Sequence, residues 1–182
     1  MNKSENPWEI LNSEVKYDNN WITLHHDEVI KPNGEKGIYG WTHFKNKAIA
    51  ILPIDQENNI WLVGQYRYPL NEYSWEVPMG GGALDVDSLI SAQRELKEET
   101  GIIAKNWTYL GKIHTSNSVT NETGFMYLAE NIEIGTPEPD ETEILTIQKV
   151  SLTNAVKMVM NDEITDSLSI AIILKVARLK NI

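Results

Sequence analysis

Cysteine is absent from the chain. That excludes disulfides, thiolate metal sites and a cysteine nucleophile, and it suits a reducing cytoplasm. Positive charge is scarce: 16 Lys and Arg stand against 26 Asp and Glu, a formal net charge of −10. Such a balance argues against a nucleic-acid backbone or an anionic membrane surface as partner. Long hydrophobic runs are also missing. None reaches the roughly 18 residues of a spanning helix, and the first residues carry no apolar leader. The expectation is a soluble protein of the cytoplasm with no membrane partner. If its ligand is anionic, the site must supply local positive charge, and a bound cation is the obvious source.

What is present is an ordinary globular composition. The 182 residues are 41% hydrophobic, enough for one domain with a sizeable core and a small appendage. Residues 1–12 are polar with scattered apolar positions and read as an arm. From Ser13 to Lys31 apolar residues alternate, which predicts two strands joined near Asp18-Asn19-Asn20. Pro32-Asn33-Gly34 is a turn signal, and Gly37 to Phe44 reads as the returning strand. The near-continuous apolar run Ala48 to Asp55 predicts a buried strand, followed by strands over Ile60–Tyr66 and Tyr73–Val77. A strand pair is expected over Trp107–Thr115 and Gly124–Ala129, with a polar loop at 116–122 between them. Pro137 to Glu143 reads as an exposed acidic loop and Glu143 to Val150 as a last strand. Leu152–Met160 and Asp166–Leu179 are helical patterns, the second with Leu168, Ile172, Val176 and Leu179 on one face. The histidines, His25, His26, His43 and His114, show no ligand spacing and read as surface or packing residues.

The most informative stretch is 79–102. A glycine run, Gly80-Gly81-Gly82, precedes a helical pattern that Asp85 or Asp87 can cap and that Gly101 can end. Leu89, Ala92 and Leu96 form its apolar stripe. On that helix Glu95, Glu98 and Glu99 stand at i, i+3 and i+4, so three carboxylates share one side. Such a face is either solvated or gathered around a cation. Mg²⁺ takes hard oxygen ligands, and a backbone carbonyl from the preceding loop, here Met79, can add one where glycines let the chain turn closely.

The order of residues here closely resembles the signature of the Nudix hydrolases, Gly-x5-Glu-x7-Arg-Glu-U-x-Glu-Glu-x-Gly-U with U apolar. Gly80 stands at the required spacing from Arg94, and Glu95, Leu96, Glu98, Glu99, Gly101 and Ile102 follow in place. The departure is Val86, where the pattern has Glu; Asp85 or Asp87 could serve if the loop takes another path. The resemblance implies an α/β fold, an α/β/α sandwich with a mixed sheet preceded by a small N-terminal antiparallel β-sheet. It implies Mg²⁺, with Mn²⁺ as an alternative, held by Glu95 and Glu99 with Glu98 and the Met79 carbonyl assisting. Arg94 would orient Glu95.

ValGlyGlnTyrArgTyrPro at 63–69 and SerTrpGluValProMetGly at 74–80 resemble the ADP-ribose pyrophosphatase branch of nucleoside diphosphate sugar hydrolases. That branch implies substrate contacts from Arg67 and Glu76. It implies an N-terminal segment, here 1–45, that joins a second subunit in a homodimer and stacks on the base through Trp21 and through Tyr39 or Trp41. Residues 46–182 would be the catalytic domain. Glu122 in the 116–122 loop would be the general base, although that loop lacks the proline many ADP-ribose hydrolases carry there. The expected reaction is cleavage of ADP-ribose to AMP and ribose 5-phosphate. The alternatives are hydrolysis of another nucleotide sugar such as GDP-mannose, or a domain that senses such a ligand without hydrolysing it.

Overall fold

The computed structural model describes residues 5–138 and 144–182. Its packing divides into two units. One comprises the chain up to Asn46 together with Ser116–Glu122; the other comprises Lys47–Thr115 and Thr123–Ile182.

The first unit is a three-stranded antiparallel sheet of β1 (Glu9–Asp18), β2 (Ile22–Ile30) and β3 (Lys36–Phe44), in that spatial order. β1 begins earlier than the alternation predicts, at Glu9, because the strand is exposed along its length and alternation reports only half-buried strands. β2 alternates as expected. Thr23, Asp27 and Val29 turn inward on one face. Gly34 takes φ +84° in the turn before β3, the conformation that glycine adopts at little cost. The 116–122 segment packs with this sheet: Thr42 bridges Thr120 in parallel fashion.

The second unit carries β4 (Asn46–Pro53), β5 (Asn59–Arg67), β6 (Glu72–Glu76), β7 (Met79–Ala83), α1 (Ser88–Thr100), β8 (Ile102–His114), β9 (Thr123–Ile134), β10 (Thr146–Ser151), α2 (Leu152–Met160) and α3 (Ser167–Leu179). One sheet runs β10-β5-β6 and a second β7-β4-β9-β8. β4 pairs β9 in parallel and β8 pairs β9 antiparallel, so the second sheet is mixed. β4 explains the layering. Its Ile49 and Ile51 pack with Ala92 and Leu96 of α1, while Ala50 and Leu52 pack with Leu152, Ile172 and Val176 of α2 and α3. A strand buried on both faces needs no polar alternation, which is why its sequence is apolar throughout. The α/β/α sandwich with a mixed sheet is therefore observed.

The structure amends further details, and β8 and β9 run longer than the expected strand pair, over Ile102–His114 and Thr123–Ile134. The glycine run is a strand, β7, rather than a loop. Leu179 is exposed rather than part of the α3 core face. The last strand starts at Thr146, and most of the expected acidic loop, with Glu143, lies outside the described residues. Among the described residues no helix is long and apolar enough to cross a membrane.

Candidate active site

α1 is set in place by its ends. Asp87 caps it, its Oδ1 accepting the Leu89 N–H at 2.7 Å, and Gly101 closes it at φ +71° with its N–H donating to the Lys97 carbonyl. Asp85 and Val86 are exposed. The loop before the cap is tied down by Lys47, whose Nζ donates to the Val86 carbonyl at 2.6 Å and the Leu84 carbonyl at 3.3 Å. Asp87 is thus committed to capping.

α1 lies very close to β7. A Cβ added at Gly80 would sit 2.2 Å from the Glu95 carboxyl carbon, and one at Gly82 would sit 2.7 Å from Ser91 Oγ. Glycine at these positions serves close approach. It lets the Glu95 carboxylate lie directly on the strand backbone. Glu95 and Glu99 are 8% and 2% exposed, unusual for carboxylates, and Glu99 Oε2 accepts the Met79 N–H at 3.0 Å. Arg94 holds the outer side. It donates to Glu95 at 2.5 Å, to Glu98 at 2.6 Å and to the Gly81 carbonyl at 2.8 Å. Burial pushes the Arg94 guanidinium down, and the charges of Glu95 and Glu98 more than offset it, so its pKa is raised. The Gly81 carbonyl anchors Arg94 in a chain that has Val86 where the signature has Glu.

The three carboxylates share a helix side: Glu95 and Glu98 both accept from Arg94, and Glu99 accepts the Met79 N–H. Among the described residues no three or more His, Asp or Glu side chains form a ready-made metal-holding group. Like charges at this spacing repel, and the Arg94 guanidinium between Glu95 and Glu98 relieves the repulsion.

Arg67 and Glu76 form a two-pronged pair at the ends of β5 and β6. Arg67 Nε donates to Glu76 Oε1 at 2.9 Å, and its Nη2 donates to Oε2. Glu76 is 3% exposed. The Glu76 hydrogen bonds raise the Arg67 pKa, burial opposes them, and the charges of Glu76, Asp166 and Glu99 add to the rise. Arg67 therefore lies within the field of Glu99 on α1.

In the N-terminal unit, Trp8, Tyr39 and Trp41 line a cavity of about 280 Å³ with Asn6, Ile10, Asp27 and Val29. Trp8 meets Tyr39 edge-on with ring centres 5.2 Å apart, and Trp41 stacks on His25 at 4.4 Å. Asp27 is buried, accepting the Trp41 indole N–H at 2.7 Å and the Ser13 hydroxyl at 2.5 Å. Trp21 does not line this cavity; it stands between β1 and β2, 66% exposed. Trp8 and Asp27 were not expected from sequence. Asp27 had a signal, an acid at an inward position of an alternating strand; Trp8 had none, since it lies in the polar arm. Glu122 ends the 116–122 loop in the same unit.

Residues 44–167 match the NUDIX domain family, and residues 8–42 match the nucleoside diphosphate sugar hydrolase N-terminal domain. The chain is a Nudix hydrolase. It is 33% identical over 181 residues to an ADP-ribose pyrophosphatase of Mycobacterium tuberculosis, covering 95% of this chain and 84% of that protein. It is 32% identical over 148 residues to an ADP-ribose pyrophosphatase of Bacillus subtilis, covering 80% of each. The crystal structure of an ADP compounds hydrolase superposes with a TM-score of 0.87 at 22% identity, covering 98% of this chain and 97% of that one, which shows a shared fold. Nudix hydrolases generally depend on a divalent cation, and the donors of this one fit such an ion. Glu95 and Glu99 offer hard, nearly buried oxygens beside the β7 backbone, in the cradle that Gly80 leaves open.

Proposed function

We propose that this Nudix hydrolase cleaves the diphosphate of a nucleoside diphosphate sugar, with ADP-ribose the first substrate to test. The products are AMP and ribose 5-phosphate. The observation that carries this reading is the pair of nearly buried carboxylates, Glu95 and Glu99, packed on the backbone of Met79 and Gly80. The two relatives named ADP-ribose pyrophosphatase support the choice of substrate.

Glu95 and Glu99 would hold Mg²⁺, or Mn²⁺ in its place, with Glu98 and the Met79 carbonyl assisting. When bound, the cation neutralises diphosphate charge and acidifies water. Arg94 keeps Glu95 aimed at the site through a charge-assisted hydrogen bond. Arg67 binds a substrate oxyanion, and Glu76 fixes the plane of its guanidinium. Glu122 takes a proton from the attacking water as that water's oxygen bonds to one phosphorus. The bond from that phosphorus to the bridging oxygen breaks, and the departing phosphate keeps the electron pair. Trp8, Tyr39 and Trp41 hold the base by stacking, and Asp27, with acceptor capacity to spare, takes an N–H from its edge.

The exposed apolar side chains of β1, Ile10, Leu11, Val15 and Tyr17, support a homodimer joined through the N-terminal strands.

The test is incubation with Mg²⁺ and a panel that includes ADP-ribose and GDP-mannose, measuring phosphomonoester release. ADP-ribose is expected to turn over fastest, and chelation with EDTA to abolish turnover until Mg²⁺ is restored. Tight binding without turnover of any member would establish a sensor instead, a reading that Val86 alone favours. Glu122→Gln is expected to lower kcat by about 10²-fold, the scale of a positioned base.

A further inference from the structure

The chain passes from β6 in one sheet to β7 in the other through Val77 and Pro78, and this crossover is held residue by residue. Every residue involved lies in the unit of Lys47–Thr115 and Thr123–Ile182. At its start the Glu76 carboxylate is paired with Arg67. The Pro78 carbonyl accepts the Ile51 N–H at 2.9 Å. At its end the Met79 N–H donates to Glu99 Oε2 at 3.0 Å. Val77 belongs to neither strand, so no ladder takes its N–H, and at 0% exposure it is out of reach of bulk water. Its N–H donates at 3.0 Å to the Ser169 hydroxyl oxygen, 92 residues further along the chain on α3.

Ser169 is also 0% exposed. It stands one turn before Ile172 and Ile173 on the same buried face, a place for an apolar side chain. A buried hydroxyl costs free energy unless it is hydrogen-bonded, and its use here is the Val77 N–H. Asp166, which caps α3, fixes the turn that carries it by accepting the Ser169 N–H at 2.7 Å. Pro78 makes the link from Val77 to Met79 stiff. The ring fixes its own φ near about −65° and keeps the preceding residue extended. A shift at Val77 is therefore passed on to Met79 rather than absorbed. We propose that Ser169 is a positioning residue that acts through Val77 and Pro78 on Met79, so that α3, which supplies no ligand, sets where the Met79 carbonyl stands beside Glu99. This rests on the reading of Glu99 and the Met79 carbonyl as holders of the divalent cation.

The test titrates Mn²⁺ into the full chain without substrate, following the free ion by electron paramagnetic resonance, and measures Tm in EDTA. Ser169→Ala leaves the Val77 N–H buried without its acceptor. It is expected to raise the Kd for Mn²⁺ about 10-fold, the scale on which supporting hydrogen bonds act at metal sites. Ser169→Cys keeps nearly the same volume with a weaker acceptor and is expected to fall between Ser169→Ala and the parent. Val176→Ala, about two turns further along α3 in the same core, is expected to lower Tm and leave the Mn²⁺ Kd unchanged. Glu99→Gln still accepts the Met79 N–H but loses its charge, and is expected to weaken Mn²⁺ more than Ser169→Ala does.

A parent Kd in Ser169→Ala beside a weakened Glu99→Gln overturns the positioning role and leaves the cation reading standing. A Kd raised as much in Val176→Ala as in Ser169→Ala marks general loosening of the core and overturns it too. Were Ser169→Ala not to fold, a parent Kd in Ser169→Cys would overturn it in its place. A parent Kd in Glu99→Gln overturns the reading of the cation site itself, whatever Ser169 does.

Discussion

Gly80 contributes by having no side chain. The Glu95 carboxylate occupies the space where a Cβ would stand, 2.2 Å away at its nearest atom. Gly80→Ala adds a single methyl group, and the carboxylate must move. The expected result is a loss of activity of at least about 10-fold with little change in Tm, since Glu95 can swing outward while the core stays intact. Steady-state rates and a thermal melt check both parts. The Arg67–Glu76 pair separates structure from function in another way. Arg67→Ala strands a buried carboxylate and is expected to destabilise the fold by about 1–3 kcal/mol as well as weaken substrate binding. Adding Glu76→Gln removes the stranded charge, so the double variant is expected to regain stability without regaining activity. Denaturant unfolding and KM report the two effects separately. These roles were legible in part. The spacing of Glu95, Glu98 and Glu99 placed them on one helix side. Nothing in it told that Glu95 and Glu99 are nearly buried while Glu98 is half-exposed and pairs with Arg94.

Elements with a strong local signal were read correctly, and the misreading has a local cause. α1 declares itself by its cap residue, its apolar stripe and its closing glycine. The glycines of β7 suggest a loop because glycine is a poor strand former. They form a strand because β7 pairs with β4 and because α1 needs to approach its backbone, a requirement set by a distant element. The turn from β4 to β5 carries a pH prediction of its own. Burial pushes the Asp55 carboxyl up, but hydrogen bonds from Lys149, Asn59 and the backbone N–H groups of Asn59 and Glu57 outweigh it and hold its pKa at about 2. A carboxylate held below its unfolded value of about 3.9 contributes stability that is full above that value. The contribution is lost as pH falls from about 4 through about 2. Asp55→Asn is therefore expected to lower Tm at neutral pH and to leave a smaller difference from the parent near pH 2. A pH series of thermal melts checks this.

At the scale of the whole molecule, the β1 edge is exposed and carries Ile10, Leu11, Val15 and Tyr17, the kind of edge that soluble proteins cover. Sedimentation at micromolar concentration is expected to give twice the 20.7 kDa chain mass. Val15→Lys with Tyr17→Lys is expected to shift the species toward the single-chain mass. A single-chain mass in the parent protein would end the dimer reading. The amino-acid sequence by itself determined what depends on near neighbours along the chain: the capped helix, the alternating β2, the turn at Gly34 and the shared side of the carboxylates. It also carried the family, because the helix end is a contiguous pattern. The tertiary structure alone decided what depends on residues far apart. It folded the 116–122 loop onto β3, so that Asn121 meets Thr42, His43 and Phe44. It also brought Trp8 and Asp27 to the Tyr39–Trp41 cavity and set Gly80 against Glu95. Periodicity reports which way a side chain points from its own element, whereas these contacts depend on which other element lies opposite, and that is fixed only when the sheets pair.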